Sequence, residues 1–496
     1  MAKARIFADR NMQVGQVSPT LFGSFIEHLG RAVYTGIYEP GHPTADGDGF
    51  RQDVLDLVEG LKVPMVRYPG GNFLSGYNWM DGIGPKENRP VKLDLAWRTT
   101  ETNQFGTDEF MKWCKKAGIE PMMAVNLGTG TPQEAANLVE YCNHPGKTHY
   151  AELRRTNGQD APYAVKTWCL GNEMDGPWQI CHLTAEDYSK KAQVTAQMMK
   201  QIDPTLKLVA CGSSSVEMPT YPEWDRIVLD NLYEDIDYIS MHRYYWYTDN
   251  RNDFFASYHD MDRFIHTIKS AIDFVKAKHR SNKTVNISFD EWNVWYQNAQ
   301  GDAAWGEAPH ILEDIYSLKD ALVFAGMMNT LLNNCDRVKV ACLAQLVNVI
   351  APIFTEKGGK AIKQATYFPF EMASLYGRGT VLTGIVDCGK FDSKYGQANI
   401  LSSAVVDNED GTLSAFLTNY GEEAIECELE LRSFGALTAL DCVVLDGPEL
   451  EARNTLENPD AVTPRKADLP AIDGAVATAK LPPLSHVMLR FGYGKV

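Results

Sequence analysis

The chain has 496 residues, 44% of them hydrophobic and 22% charged, with a formal net charge of −17. That length exceeds one ordinary domain and accommodates a barrel of about 250–350 residues plus a smaller unit. The acidic balance, with no Lys/Arg cluster above scattered surface charge, argues against nucleic acid and other polyphosphate partners but is indifferent to neutral sugars.

No apolar run approaches the roughly 20 residues that span a bilayer. The first nine residues lack an apolar signal core, and 4–9 read as a short strand. Ten cysteines are present, some inside strand-like runs (Cys169, Cys211, Cys342), with no CxxC pair and no disulfide spacing. The expectation is a cytoplasmic protein with reduced, buried thiols and no membrane partner.

From about residue 18 to 375, strand-like and helical runs alternate. The strands are predicted at 21–27, 63–68, 120–126, 164–173, 207–213, 238–244, 285–291 and 340–347. Helices are predicted at 50–61, 107–117, 132–142, 185–202, 222–233, 258–279 and 310–333. Thr131-Pro132-Gln133-Glu134 is a capping box with proline at the first helical position. Eight mostly apolar strands in strict alternation predict a closed parallel (β/α)8 barrel of the TIM type with helices outside. The alternative, a doubly wound open sheet, lacks its Gly-rich phosphate turn.

After about residue 376 the pattern changes to short alternating runs at 380–386, 400–406, 413–417, 424–431, 437–444 and 486–491. This predicts a C-terminal antiparallel β-sandwich, jelly-roll-like, with 449–470 as a long surface loop. The expected division is 1–17, 18–375 and 376–496.

Active sites of parallel barrels sit at the C-terminal strand ends. Those ends carry Glu27-His28, Arg67 with Asn72, Asn126, Asn172-Glu173, Ser213, His242 with Tyr244, Glu291 and Gln345. Glu173 and Glu291 close two apolar runs more than a hundred residues apart. Two carboxyl groups delivered by different strands suit glycoside hydrolysis, one protonating the leaving oxygen and the other attacking the sugar or activating water. Trp97, Trp178, Trp295 and Trp305 lie in or near strand-end loops, where indole faces can stack on sugars. Gly128-Thr129-Gly130 lacks the lysine of a phosphate loop, HExxH and GxSxG are absent, and Asp46-Gly47-Asp48-Gly49 reads as a turn.

An ordered set of segments resembles the α-L-arabinofuranosidases of glycoside hydrolase family 51. It comprises Phe22-Gly23-Ser24-Phe25-Ile26-Glu27-His28, Arg67-Tyr68-Pro69-Gly70-Gly71-Asn72-Phe73, Gly171-Asn172-Glu173-Met174-Asp175-Gly176-Pro177-Trp178, Met241-His242-Arg243-Tyr244-Tyr245, Asp290-Glu291-Trp292-Asn293-Val294-Trp295 and Gln345-Leu346-Val347-Asn348. The segment Leu481-Pro482-Pro483-Leu484-Ser485 looks like the family's last strand.

The resemblance implies a retaining exo-hydrolase of terminal α-L-arabinofuranosyl groups on arabinoxylan- or arabinan-derived oligosaccharides, without metal or organic cofactor. Glu173 would be the general acid/base, and Asn172 would hold the sugar 2-hydroxyl. Glu291 would be the nucleophile and Tyr244 would orient it, with His242 bonding around the acid/base. Glu27, Arg67, Asn72 and Gln345 would grip the furanose hydroxyls and steady the carboxyl groups, while Trp97, Trp178 and Trp295 would wall the pocket. Loops 78–102 and 294–308 are candidates for narrowing it. The resemblance also implies a homo-oligomer, often a hexamer, and an N-terminal strand paired into the sandwich. The rival readings are an endo-β-glucanase or β-xylosidase on the same barrel, and a non-catalytic carbohydrate-binding protein.

Overall fold

The computed structural model describes residues 2–296 and 305–494. Its centre is a closed barrel of eight parallel strands, each hydrogen-bonded to the next in chain order, with the eighth returning to the first. In order they are Gly23–Phe25, Met65–Tyr68, Glu120–Val125, Thr167–Leu170, Lys207–Ala210, Tyr238–Tyr245, Asn286–Val294 and Val338–Ala344. Closure removes the open-sheet alternative.

Alternation along the strands explains the packing. Phe25, Met65, Met122, Ala124, Cys169, Val209, Val340 and Cys342 form a core cluster of their own inside the barrel. Their strand neighbours Val66, Met123, Val125, Trp168, Leu170, Leu208 and Ala210 belong to the larger core beneath the helices. Successive residues of a strand face opposite sides, so unbroken apolar runs are what a doubly covered sheet requires.

The capping box forms as expected: Glu134 N donates to Thr131 Oγ1 at 3.2 Å, and Thr131 N donates to Glu134 Oε2 at 2.7 Å. The helix expected at 310–333 is shorter, Leu318–Asn333. Its start is set by Ser317, whose N–H and hydroxyl both donate to the Asp320 carboxylate, so 310–317 stays irregular. Helices His149–Thr156 and Tyr367–Tyr376 were not anticipated. The second is buried on nearly every face, which erases the amphipathic period that sequence reading depends on.

The C-terminal sandwich is built from one continuous ten-stranded sheet. Ile6, Leu413, Leu429, Val444 and Leu489, from strands spread across its order, meet in a single core, so the sheet folds over on itself. The N-terminal strand Ala2–Gln16 lies inside this sheet, antiparallel to Gly379–Asp387 and parallel to Ile425–Glu430. That parallel pair sits within an otherwise antiparallel sheet, and the N-terminal strand joins it as expected. The segment 481–485 is not the last strand: Leu481 ends Val476–Leu481 and Ser485 opens Ser485–Tyr493. Pro482 and Pro483 between them have no N–H to give a ladder. The expected surface loop 449–470 is in part a buried strap. Asn454 is fully buried and bonds the carbonyls of Lys363 and Val462, while Leu318 N and Lys319 N donate to Ala452 O and Leu450 O.

Candidate active site

The fourth strand stops at Leu170, three residues short of Glu173. Gly171 (φ +86°) and Glu173 (φ +43°) both adopt left-handed backbone, which swings the Glu173 side chain over the barrel mouth. Such a conformation at a non-glycine residue costs on the order of 1 kcal/mol and persists only where surrounding contacts fix it. Here Trp178 Nε1 donates to Glu173 Oε2 at 2.7 Å, and His242 Nδ1 lies 2.8 Å from Oε1.

The seventh strand carries a bulge. Ser288 pairs with Ser240 and Glu291 with His242, so three steps on one strand match two on its neighbour. An extra residue shifts the inward–outward phase. Ile287 and Phe289 face the outer core, so plain alternation sends Asp290 inward and Glu291 outward; the bulge instead brings Glu291 in beside Asp290.

Arg67 ties the two halves together. Its Nη1 donates to Glu291 Oε1 and its Nη2 to Asn172 Oδ1, each at 2.6 Å, while Nε lies 3.8 Å from Asp290 Oδ2. Tyr244 OH donates to Glu291 Oε2 at 2.8 Å. His242 bridges the carboxyl groups, with Nδ1 3.6 Å from Glu291 Oε2 and Nε2 3.1 Å from Asp290 Oδ1, which also accepts from Ser240 Oγ. Oxygen atoms of Glu173 and Glu291, with His242 Nδ1, lie within 4.8 Å of one another.

A cavity of about 520 Å³ opens onto both glutamates. Glu27, Asn72, Trp97, Trp178, Tyr244, Trp295 and Gln345 line it, whereas Arg67, Asn172 and His242 stand behind the carboxyl groups they contact. Trp97 Nε1 donates to Glu27 Oε1 at 2.9 Å, and Gln345 Nε2 lies 3.3 Å from Glu27 Oε2. The loop 78–102 delivers Trp97, held by Asp94, whose carboxylate accepts from Ala96 N and Trp97 N. Residues 297–304 of the loop 294–308 lie outside the described residues, and Trp305 is not among the cavity-lining groups. His28 is buried between Glu101 and Tyr68, and Asn126 braces its own loop at Tyr77 and Thr129.

Burial dominates the electrostatics. It pushes the Glu27 carboxyl up to about 8 despite the Phe73 and Trp97 donors. Burial opposes the charge on His242, but Glu291, Asp290 and Glu173 outweigh it and raise the imidazole to about 10. Asp290 is likewise opposed by burial, yet Arg67 and His242 hold it below its usual range. Burial raises Glu291, with Glu173 adding and His242 and Arg67 subtracting. With Arg67 and His242 cationic, Asp290 ionised and Glu27 neutral, the cluster is uncharged when the Glu173/Glu291 pair bears one negative charge. That is the state an acid–nucleophile pair starts from.

Among the described residues, the His/Cys/Asp/Glu group with metal-like spacing is this same trio, Glu173, His242 and Glu291. Its convergence already follows from the hydrogen bonds above. Sequence reading missed Asp290, Ser240 and Gln179. Gln179 is buried beside Asn172, with Nε2 2.5 Å from Ser75 Oγ. Only the adjacency of Asp290 to Glu291 offered a signal.

A barrel with two carboxyl groups this close, one just beyond its fourth strand and one on its seventh, is a glycoside hydrolase of the retaining class; inverting enzymes keep theirs roughly 6.5–9.5 Å apart. Residues 57–265 match the alpha-L-arabinofuranosidase 1 domain and residues 290–485 the alpha-L-arabinofuranosidase C-terminal domain. The chain is 50% identical to intracellular exo-alpha-(1->5)-L-arabinofuranosidase 1 of Bacillus subtilis, over 99% of each chain. It is 48% identical to an exo-alpha-(1->6)-L-arabinofuranosidase of Bifidobacterium longum, over 98% of this chain and 96% of that one. Among solved structures, a family 51 alpha-L-arabinofuranosidase from Bifidobacterium longum superposes with a TM-score of 0.95 at 43% identity, covering 99% of this chain and 100% of the other. The arabinose complex of the Thermotoga maritima enzyme gives 0.89 at 37%, covering 98% and 99%. The chain belongs to the α-L-arabinofuranosidases of glycoside hydrolase family 51. This sets aside the glucanase, xylosidase and non-catalytic readings.

Proposed function

We propose that the protein removes non-reducing terminal α-L-arabinofuranosyl groups from arabinan- and arabinoxylan-derived oligosaccharides, α-(1→5) links foremost, by double displacement. The observation that carries this reading is the Glu173/Glu291 pair within 4.8 Å at the base of the cavity. Glu173 protonates the leaving oxygen as Glu291 attacks the anomeric carbon. The resulting arabinosyl-enzyme is hydrolysed by water that Glu173 deprotonates.

Asn172, fixed by Arg67, holds the 2-hydroxyl, a contact that strengthens in the transition state. Tyr244 and Arg67 aim Glu291, and His242 supports Glu173. Glu27, Asn72 and Gln345 bind the remaining furanose hydroxyls, and Trp97, Trp178 and Trp295 form walls. Two relatives of nearly equal identity are named for different linkages, 1→5 and 1→6, so linkage is the variable part of the reading.

No described helix is long and apolar enough to cross a membrane, and several relatives are named intracellular, which supports a cytoplasmic site of action. The family resemblance supports a homo-oligomer, a hexamer in the first instance, to be weighed by sedimentation. The deciding experiment is NMR observation of the first sugar released from an aryl α-L-arabinofuranoside. α-Arabinofuranose supports the mechanism, and β-arabinofuranose or no hydrolysis overturns it.

A further inference from the structure

The cavity has a second wall that the chemistry above leaves unused. Glu27, Asn72 and Gln345 come from the first, second and eighth strands. Ser215, Glu217 and Met218 follow the fifth strand and Trp246 the sixth, across the circle of eight. Glu173 follows the fourth strand, beside the fifth. A leaving oxygen that meets Glu173 therefore departs toward this second wall.

Glu217 is fixed there with unusual care for an open side chain. Arg243 Nη1 donates to its Oε2 at 2.6 Å, and Ser215 Oγ bonds the same oxygen. Arg243 is itself locked: Nε and Nη2 donate to Asp260 Oδ2 at 3.0 and 2.8 Å, and its guanidinium sits 4.6 Å from the centre of the Tyr245 ring. The Arg243 side chain is 3% exposed, whereas that of Glu217 is 59% exposed. Partial burial pushes Glu217 upward, but the Arg243 and Ser215 hydrogen bonds hold its carboxyl below the usual range. An ion pair with so open a partner adds little stability.

What the arrangement provides is a positioned, ionised acceptor that lines the cavity together with Met218 and Trp246. Trp246 is 52% exposed, and Trp178, at 49%, stands nearer Glu173. Aromatic faces beside a fixed carboxylate suit a polyhydroxylated ring: apolar C–H faces stack while hydroxyls donate.

We infer that Glu217, held by Arg243, accepts hydrogen bonds from hydroxyls of the leaving-group sugar, with Trp246 as its stacking face, so that this wall selects saccharide over aryl leaving groups. The inference rests on the arabinofuranosidase reading above.

The test compares kcat/KM for a linear arabino-oligosaccharide and for 4-nitrophenyl α-L-arabinofuranoside in wild type, Glu217→Gln, Glu217→Ala and Trp246→Ala. A hydrogen bond to a charged group predicts that the oligosaccharide-to-aryl ratio falls roughly tenfold or more in Glu217→Ala. It falls less in Glu217→Gln, which keeps an acceptor oxygen, and it also falls in Trp246→Ala. Equal losses on both substrates, or an unchanged ratio, would overturn the inference. A wild-type protein inactive on both substrates would instead overturn the parent reading.

Discussion

Asp290 and Glu291 are consecutive residues, yet both side chains are buried inside the barrel, 3.1 and 3.6 Å from opposite nitrogens of the His242 ring. The bulge between Ser288 and Glu291 makes this possible and gives the imidazole a carboxylate on each side. His242 meets Glu173 and Glu291 at Nδ1 and Asp290 and Ser240 at Nε2, and Arg67 is the other cation in contact with this group.

Asp290→Asn removes one of the charges that keep His242 protonated. The imidazole then loses its proton at lower pH, which an NMR titration of the His242 ring reads directly. The rate at neutral pH should fall roughly tenfold or more. An unmoved His242 titration would separate Asp290 from the behaviour of His242.

Glu291→Ala should lower kcat by at least about 10⁴-fold, because no covalent intermediate forms. Glu173→Ala should cost roughly 10²–10⁴-fold on substrates with poor leaving groups and less on activated aryl glycosides. Azide should restore turnover in Glu173→Ala and yield the glycosyl azide of retained configuration. Azide product of inverted configuration from that variant would exchange the two roles.

Tyr244→Phe deletes the 2.8 Å donor to Glu291 while keeping the ring against Trp295. A hydrogen bond to a charged acceptor is worth about 1.5–3 kcal/mol. The expectation is a drop in kcat of roughly ten- to a hundredfold with little change in melting temperature. Equal kcat in variant and wild type would reduce Tyr244 to a packing residue.

Glu27 yields a stability prediction with a definite sign. Its carboxyl sits at about 8 in the fold against an ordinary 4.5, because burial penalises its charge. Between those values the native state holds more protons than the unfolded chain, so this group's contribution is full below 4.5 and is lost as pH rises through 8. Glu27→Gln removes that dependence. The unfolding free energy of wild type relative to the variant should decline by up to about 1.4 kcal/mol per pH unit across this window. Urea titrations at pH 5, 7 and 9 read it directly; a flat difference would mean that Glu27 is ionised in the native state.

The eight strands and their order were legible because both faces of each are buried, which writes an unbroken apolar run, and because active groups gather where such strands end. Strand lengths were less so. Glu173 was read as strand-terminal, whereas Gly171 and Glu173 turn the chain through left-handed backbone beyond Leu170. Asp290 was passed over because period-two alternation lets only one of two consecutive residues face inward, and a bulge is a property of the paired strand, not of local sequence. Tyr367–Tyr376 and Asn454 escaped notice for a related reason: one has no polar face, and the other lies in a polar, proline-bearing stretch whose burial depends on residues far away in sequence. The strand-end rule placed Glu27, Asn72 and Gln345 at the barrel mouth, where all three line one cavity, but their roles toward a sugar came only from the family-like motifs.

The strand Ala2–Gln16 sits between Gly379–Asp387 and Ile425–Glu430. Residues of this strand thus wait for partners made more than 360 residues later. The barrel can close while that ribbon is still unpaired, and its place in the sheet can be filled only after Gly379–Asp387 and Ile425–Glu430 have been made. The region from 376 onward, produced by itself, would have a gap where an interior strand belongs and two raw edges facing it. Such edges invite pairing with other chains. Supplying 1–17 as a separate peptide should rescue its solubility, in the manner of a missing stave returned to a cask.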